Sequence, residues 1–142
     1  MIKVEKRVLQ KNLRYKGTVI LKYRIEYPQI FNFEKFNIYN YRKAVALQRE
    51  CETTLFNEAK ELYEYNMKNG HPVMTYEIIS EVTITYNHEP LVSLYIDEYR
   101  FTGGAHGNTL RTSQNWNLRD SEMIPLSKWF DDSNYVSKLI DN

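Results

Sequence analysis

From Thr18 to Tyr27 the chain alternates: Val19, Leu21, Tyr23, Ile25 and Tyr27 fall on one side, and Lys22, Arg24 and Glu26 on the other. Successive side chains of a strand point to opposite faces, so this pattern predicts a β-strand with one face buried. The preceding run, Lys3 to Leu13, is weaker and more charged, as an edge strand would be. Lys16-Gly17 supplies the turn between the two strands. Pro28 lacks an amide donor and is expected to end the second.

The period then changes. From about Phe36 to Asn69, Ile38, Tyr41, Val45, Gln48, Cys51, Leu55, Ala59 and Leu62 recur at spacings of three and four, which predicts one long helix with a single buried stripe. Asn69-Gly70 caps it, and Pro72 prevents continuation. Alternation returns at Tyr76, Ile78, Val82, Ile84 and Tyr86, turns at Asn87-His88-Glu89-Pro90, and runs back from Leu91 to Phe101 with Val92, Leu94 and Ile96 inward. Leu110 to Leu118 gives a further strand, with Trp116 as its largest packing group, and Arg119 to Glu122 makes a turn. The order β-β-α-β-β-β predicts an α+β fold: an antiparallel sheet of about five strands, one long amphipathic helix across a face, and a short C-terminal helix.

Between the fourth and fifth strands lies Phe101-Thr102-Gly103-Gly104-Ala105-His106-Gly107-Asn108-Thr109, which holds three of the five glycines. Glycine reaches backbone angles that a β-carbon forbids, so the cluster marks a tight reversal or a close backbone approach. His106 in this bend is the first chemical candidate, either pinning the corner through backbone hydrogen bonds or acting as a general base. The second role needs an orienting carboxylate or a nucleophile, for which Asp97, Glu98 and Ser113 are nearest in sequence.

Other chemistry is thin. His71 and His88 stand alone in separate turns, without the spacing of a metal site, and no phosphate loop, dinucleotide fingerprint or nucleophile elbow is present. No cofactor is expected. The carboxylates Glu77, Glu81, Glu89, Asp97 and Glu98 crowd the middle strands, as solvated strand faces do. Cys51 is the sole cysteine, which rules out an internal disulfide, and its place in the helical pattern marks it as a small buried hydrophobe.

Composition adds little except in two respects. Twelve tyrosines suit strands and wet-edged interfaces. Net charge is +1, yet residues 1–35 hold nine Lys or Arg against three Asp or Glu, so a basic hairpin is expected beside an acidic helix. No nucleic-acid signature accompanies that charge. No signal peptide and no membrane-crossing run is visible in the chain as given, whose mean hydropathy is -0.60.

Four segments carry a resemblance: Tyr27-Pro28-Gln29-Ile30, Phe101 to Thr109 with its Thr-Gly-Gly-Ala-His-Gly element, Trp116-Asn117-Leu118, and Ile124-Pro125-Leu126-Ser127-Lys128-Trp129-Phe130. Together they resemble the deacetylase PdaC-type domain of Gram-positive bacteria. That module precedes the catalytic domain of a peptidoglycan deacetylase and forms the outer part of a lysozyme-sensing anti-sigma factor. The resemblance implies an extracytoplasmic, non-catalytic binding or sensing module at the cell wall, with peptidoglycan glycan or a lysozyme-like protein as partner. It divides the chain into a PdaC-type domain at 1–130 and, at 131–142, the opening helix of a shortened second unit. The expected contact surface is the corner: Tyr99, Phe101, Thr102, Gly103, Gly104, His106 and Asn108. The competing expectation is a small hydrolase of wall glycan with His106 as general base.

Overall fold

The computed structural model describes residues 1–125. The alternation at the start of the chain forms a hairpin of β1 (Glu5–Tyr15) and β2 (Thr18–Gln29), closed where Lys16 and Gly17 both take positive φ. Leu21, Tyr23, Ile25 and Tyr27 are buried, whereas Lys22 and Arg24 are exposed. β1 forms the outer edge of the sheet, as its charge implies. Pro28 does not end β2, which continues to Gln29. Beyond Ile25 the strand has a ladder partner on the β1 side alone, so a missing donor is tolerated there.

The helical segment comprises α1 (Glu34–Glu50), a π-helical turn at Cys51–Leu55, and α2 (Phe56–Lys68). Its buried stripe runs Phe36, Asn40, Ala44, Leu47, Cys51, Leu55 and Ala59. The second half matches the sequence pattern. In the first half Ile38 and Tyr41, expected inside, point outward. Steps of four overshoot a turn of 3.6 residues, so such a stripe drifts around the helix. The wider π turn takes up part of that drift. The stripe therefore extends backward from Cys51 through Leu47, Ala44 and Asn40. Asn37 locks the entry to α1: its Nδ2 donates to the Ile30 carbonyl at 2.7 Å, and its Oδ1 accepts from the Ile30 N–H at 2.7 Å.

β3 (Tyr76–His88), β4 (Leu91–Phe101), β5 (Asn108–Asn117) and β6 (Glu122–Met123) follow as an antiparallel meander. Two expectations are corrected. The sheet has six strands in the order β1-β2-β3-β4-β5-β6, because β6 pairs Met123 with Trp116. It is also mixed, since β2 and β3 run parallel, Leu21–Ile25 against Tyr76–Ser80. A strand, a long helix and a strand form a crossover: the helix carries the chain back to its starting end, so the next strand repeats the first one's direction. Side chains bracket this seam. The Thr75 hydroxyl donates to the Val19 carbonyl at 3.1 Å, and the Val82 N–H donates to Glu26 Oε1 at 2.9 Å.

The helices cover one face of the sheet over two apolar clusters. One joins β2 and β3 to the helical stripe through Tyr23, Ile25, Ile78, Leu47, Cys51 and Leu55. The other gathers Ile30, Phe36, Val82, Val92, Leu94 and Trp116. Where they meet, a polar chain is fully engaged: Trp116 Nε1 donates to Gln114 Oε1 and Gln114 Nε2 to Asn40 Oδ1, both at 2.8 Å, and Asn40 Nδ2 donates to the Phe36 carbonyl at 3.0 Å. The basic hairpin does lie beside the acidic helix, with Lys16 at 2.6 Å from Glu64 and Lys11 at 3.8 Å from Glu52. The expected C-terminal helix and the unit at 131–142 lie outside the described residues.

Candidate functional site

Strand register decides which side chains share the face away from the helices. Arg24, Ile79, Tyr99 and Thr109 stand opposite one another in one row; Glu81, Asp97 and Arg111 form the next; Thr83, Tyr95 and Ser113 a third. All are at least partly exposed. On this open face the Arg111 guanidinium lies 3.8 Å from the centre of the Tyr95 ring, and donates to Asp97 at 2.8 and 3.0 Å. Those bonds hold the Asp97 carboxyl below its usual pKa. The result is a planar cation held over a phenol ring beside Tyr99, a surface with both aromatic area and oriented donors.

Asp97 and Glu98 alternate as the strand requires. Glu98 turns to the helix side, where it accepts from Arg100 Nε at 2.7 Å. Arg100 in turn clasps Glu50 of α1 through both terminal nitrogens, at 2.7 and 2.8 Å. Hydrogen bonding from Arg100 lowers the Glu50 pKa, and the bond to Glu50 raises that of Arg100. This clasp fixes β4 against the helix.

The glycine corner closes the sheet next to both surfaces. Gly103 alone of its three glycines takes positive φ, at 86°, and a β-carbon there would come within 2.5 Å of Leu62 Cδ2. Gly107 is covered by the Tyr99 ring, which occupies the space a β-carbon would need. Gly104 meets nothing closer than the His106 carbonyl oxygen at 3.9 Å. The reversal therefore passes Leu62 of α2 at one glycine and Tyr99 of the open face at another. Around this bend Thr102, Ala105, His106 and Asn108 are exposed, and Phe101 is partly covered.

Of the residues expected at the site, Tyr99 packs over Gly107, a glycine of the bend that was not itself expected at the contact surface. His106 projects without a hydrogen bond to backbone, carboxylate or serine among the described residues. Asp97 and Glu98 are engaged by Arg111 and Arg100, and Ser113 is exposed on the open face. Cys51 is buried in the π turn, where burial pushes its thiol pKa up to about 12. No group of three or more His, Cys, Asp or Glu able to hold a metal ion is found among the described residues. Sequence reading did not single out Tyr95 or Arg111. The alternation of β4 sets Tyr95, Asp97 and Tyr99 on one face, but only the register brings Arg111 opposite Asp97.

Comparison with known proteins agrees with this architecture. The model of the family described as deacetylase PdaC matches residues 15–109, from the first hairpin through the glycine corner. The chain is 25% identical over 118 residues to the peptidoglycan-N-acetylmuramic acid deacetylase PdaC of Bacillus subtilis, a match that takes in 82% of this chain and 23% of that protein. It thus spans about a quarter of that relative's length. Two solved structures share the fold. A DUF3298 family protein of Pseudomonas aeruginosa superposes with a TM-score of 0.62 at 15% identity, over 97% of this chain and 66% of that one. A DUF3298 family member of Bacteroides fragilis does so with a TM-score of 0.65 at 16% identity, over 99% and 68%.

Proposed function

Since this chain belongs to the deacetylase PdaC family, we propose that it is a non-catalytic, extracytoplasmic module that binds or senses a cell-wall ligand. The first ligand is peptidoglycan glycan; a lysozyme-like protein is the second. The observation that carries this reading is the open sheet face, where Tyr95, Tyr99 and Arg111 offer aromatic area with fixed donors. Sugar rings present apolar faces edged by hydroxyls, and such a surface matches both. The name of the Bacillus relative, a peptidoglycan deacetylase, supports the wall as the setting. Supporting a binding role over hydrolysis, His106 has no orienting partner among the described residues, whereas a general base is normally held by one.

Retention of the purified chain on insoluble peptidoglycan and on immobilised lysozyme tests the proposal. Peptidoglycan should retain the chain, and Tyr95→Ala with Arg111→Ala should weaken retention severalfold while leaving the fold intact by circular dichroism. Failure to bind either material removes the binding reading. Release of acetate or reducing ends from wall material, lost in His106→Ala, would replace it with the hydrolase.

A further inference from the structure

Helix α1 carries two stripes, and the sheet covers one of them. Phe36, Asn40, Ala44 and Leu47 are buried against the strands. At about 100° per residue, Glu34, Ile38, Tyr41, Arg42, Val45 and Arg49 gather on the outer side, within roughly a quarter to a third of the helix circumference. Ile38 is 47% exposed and Tyr41 50%, while Val45 is half-buried. Glu34, Arg42 and Arg49 are exposed and make no ion pair among the described residues. An outer helix face is ordinarily polar throughout, so an apolar centre flanked by unpaired charges needs a reason.

The order of these residues supplies one, because it is complementary to its own reverse. Glu34 and Arg49 stand about 22 Å apart along the axis, at 1.5 Å per residue, and the midpoint falls between Tyr41 and Arg42. A two-fold axis through that midpoint lays a second α1 antiparallel on the first. Glu34 then meets Arg49 of the second copy, Ile38 meets Val45, and Tyr41 meets Arg42, each pair occurring twice. Lys35, at the border of the stripe, meets the neutral Gln48. Parallel pairing would instead set Glu34 on Glu34 and Arg49 on Arg49. The charge order therefore selects both the partner and its direction.

We propose that the outer stripe of α1 is a homodimer interface, on which a second copy of this chain packs its own α1 antiparallel. Ile38 and Val45 form the apolar centre, and the Arg42 guanidinium covers the Tyr41 ring of the other copy. The Glu34–Arg49 pairs close both ends. One helix face is small beside the roughly 800 Å² per partner of a standard interface, so the association is weak and concentration-dependent. The helices lie on the side of the sheet away from Tyr95 and Arg111. Pairing through α1 leaves both open faces free, and it does not depend on what those faces bind.

Sedimentation velocity of the purified chain, from about 10 μM to about 1 mM, tests the interface. The parent chain should pass from monomer toward dimer across that range. Ile38→Asp should hold it monomeric, with an unchanged unfolding midpoint because that side chain lies outside the core. Glu34→Arg and Arg49→Glu should each weaken association about tenfold, since two attractive contacts become repulsive. An equimolar mixture of these two variants should regain the parent affinity, because the two reversals then face each other. That rescue separates pairing from damage to the helix, which mixing cannot repair. A chain that stays monomeric throughout overturns the interface. So does a dimer indifferent to Ile38→Asp, or a mixture that associates no better than either variant alone.

Discussion

The phenol ring of Tyr99 lies where a side chain at Gly107 would have to go. A residue of the open sheet face thus dictates glycine eight positions later, in the reversal that follows its own strand. Gly107→Ala should destabilise by about 1–3 kcal/mol through overpacking, whereas Gly104→Ala should stay within about 0.5 kcal/mol. Urea unfolding of the two variants checks this. In a Tyr99→Ala background the penalty at 107 should shrink; equal penalties in both backgrounds would show that the ring is not its source.

The buried chain from Trp116 through Gln114 to Asn40 is an all-or-none arrangement. Gln114→Leu leaves the indole N–H of Trp116 and the Asn40 carbonyl oxygen buried without the bonds they now make. It should cost about 2–4 kcal/mol, one to two unsatisfied groups, and should alter the tryptophan emission of the native state. Asn40→Leu with Gln114→Leu should cost less than the two single changes added. Simple additivity would mean the two side chains are not coupled.

The Glu50–Arg100 clasp predicts a pH signature. Its hydrogen bonds hold the Glu50 carboxyl below the ordinary value of 4.5 in the folded state. The native state then releases that proton more readily than the unfolded one, so the contribution is fully present above the unfolded pKa and fades as pH falls through the folded one. Glu50→Gln should lower stability near neutrality by no more than about 1 kcal/mol, given the exposure of the pair. The difference from the parent chain should close as pH falls below the ordinary carboxylate value of 4.5 and through the lowered folded one. A gap of constant size across that range would refute the assignment.

Much of the fold was readable because the signals were local. The alternation of Leu21, Tyr23, Ile25 and Tyr27 needs no partner to be recognised, and neither does the long helical period that ends at Asn69-Gly70. What escaped depends on contacts distant in sequence. Ile38 and Tyr41 were misplaced because the register of the buried stripe in α1 is set by Trp116 and Gln114 of β5, and by a π turn that leaves no mark in a hydrophobic pattern. The direction of β3 was missed although the crossover rule contains it. At the site, glycine clustering correctly marked close approaches, but the residues doing the approaching, Leu62 and Tyr99, are known only once the chain is folded.

The parallel ladder Leu21–Ile25 with Tyr76–Ser80 is the one strand pairing that joins the first hairpin to the meander among the described residues. Every other ladder links neighbours along the chain and forms by short-range closure. This one must wait until the whole helical segment has been looped back, and the entropy of that closure is not repaid until the five-residue ladder and its bracketing bonds from Thr75 and Val82 engage. The kinetic bottleneck of folding therefore falls at the middle of the sheet. Substitutions at Ile25 and Ile78 should slow refolding in stopped-flow traces, while those in β5 should chiefly hasten unfolding.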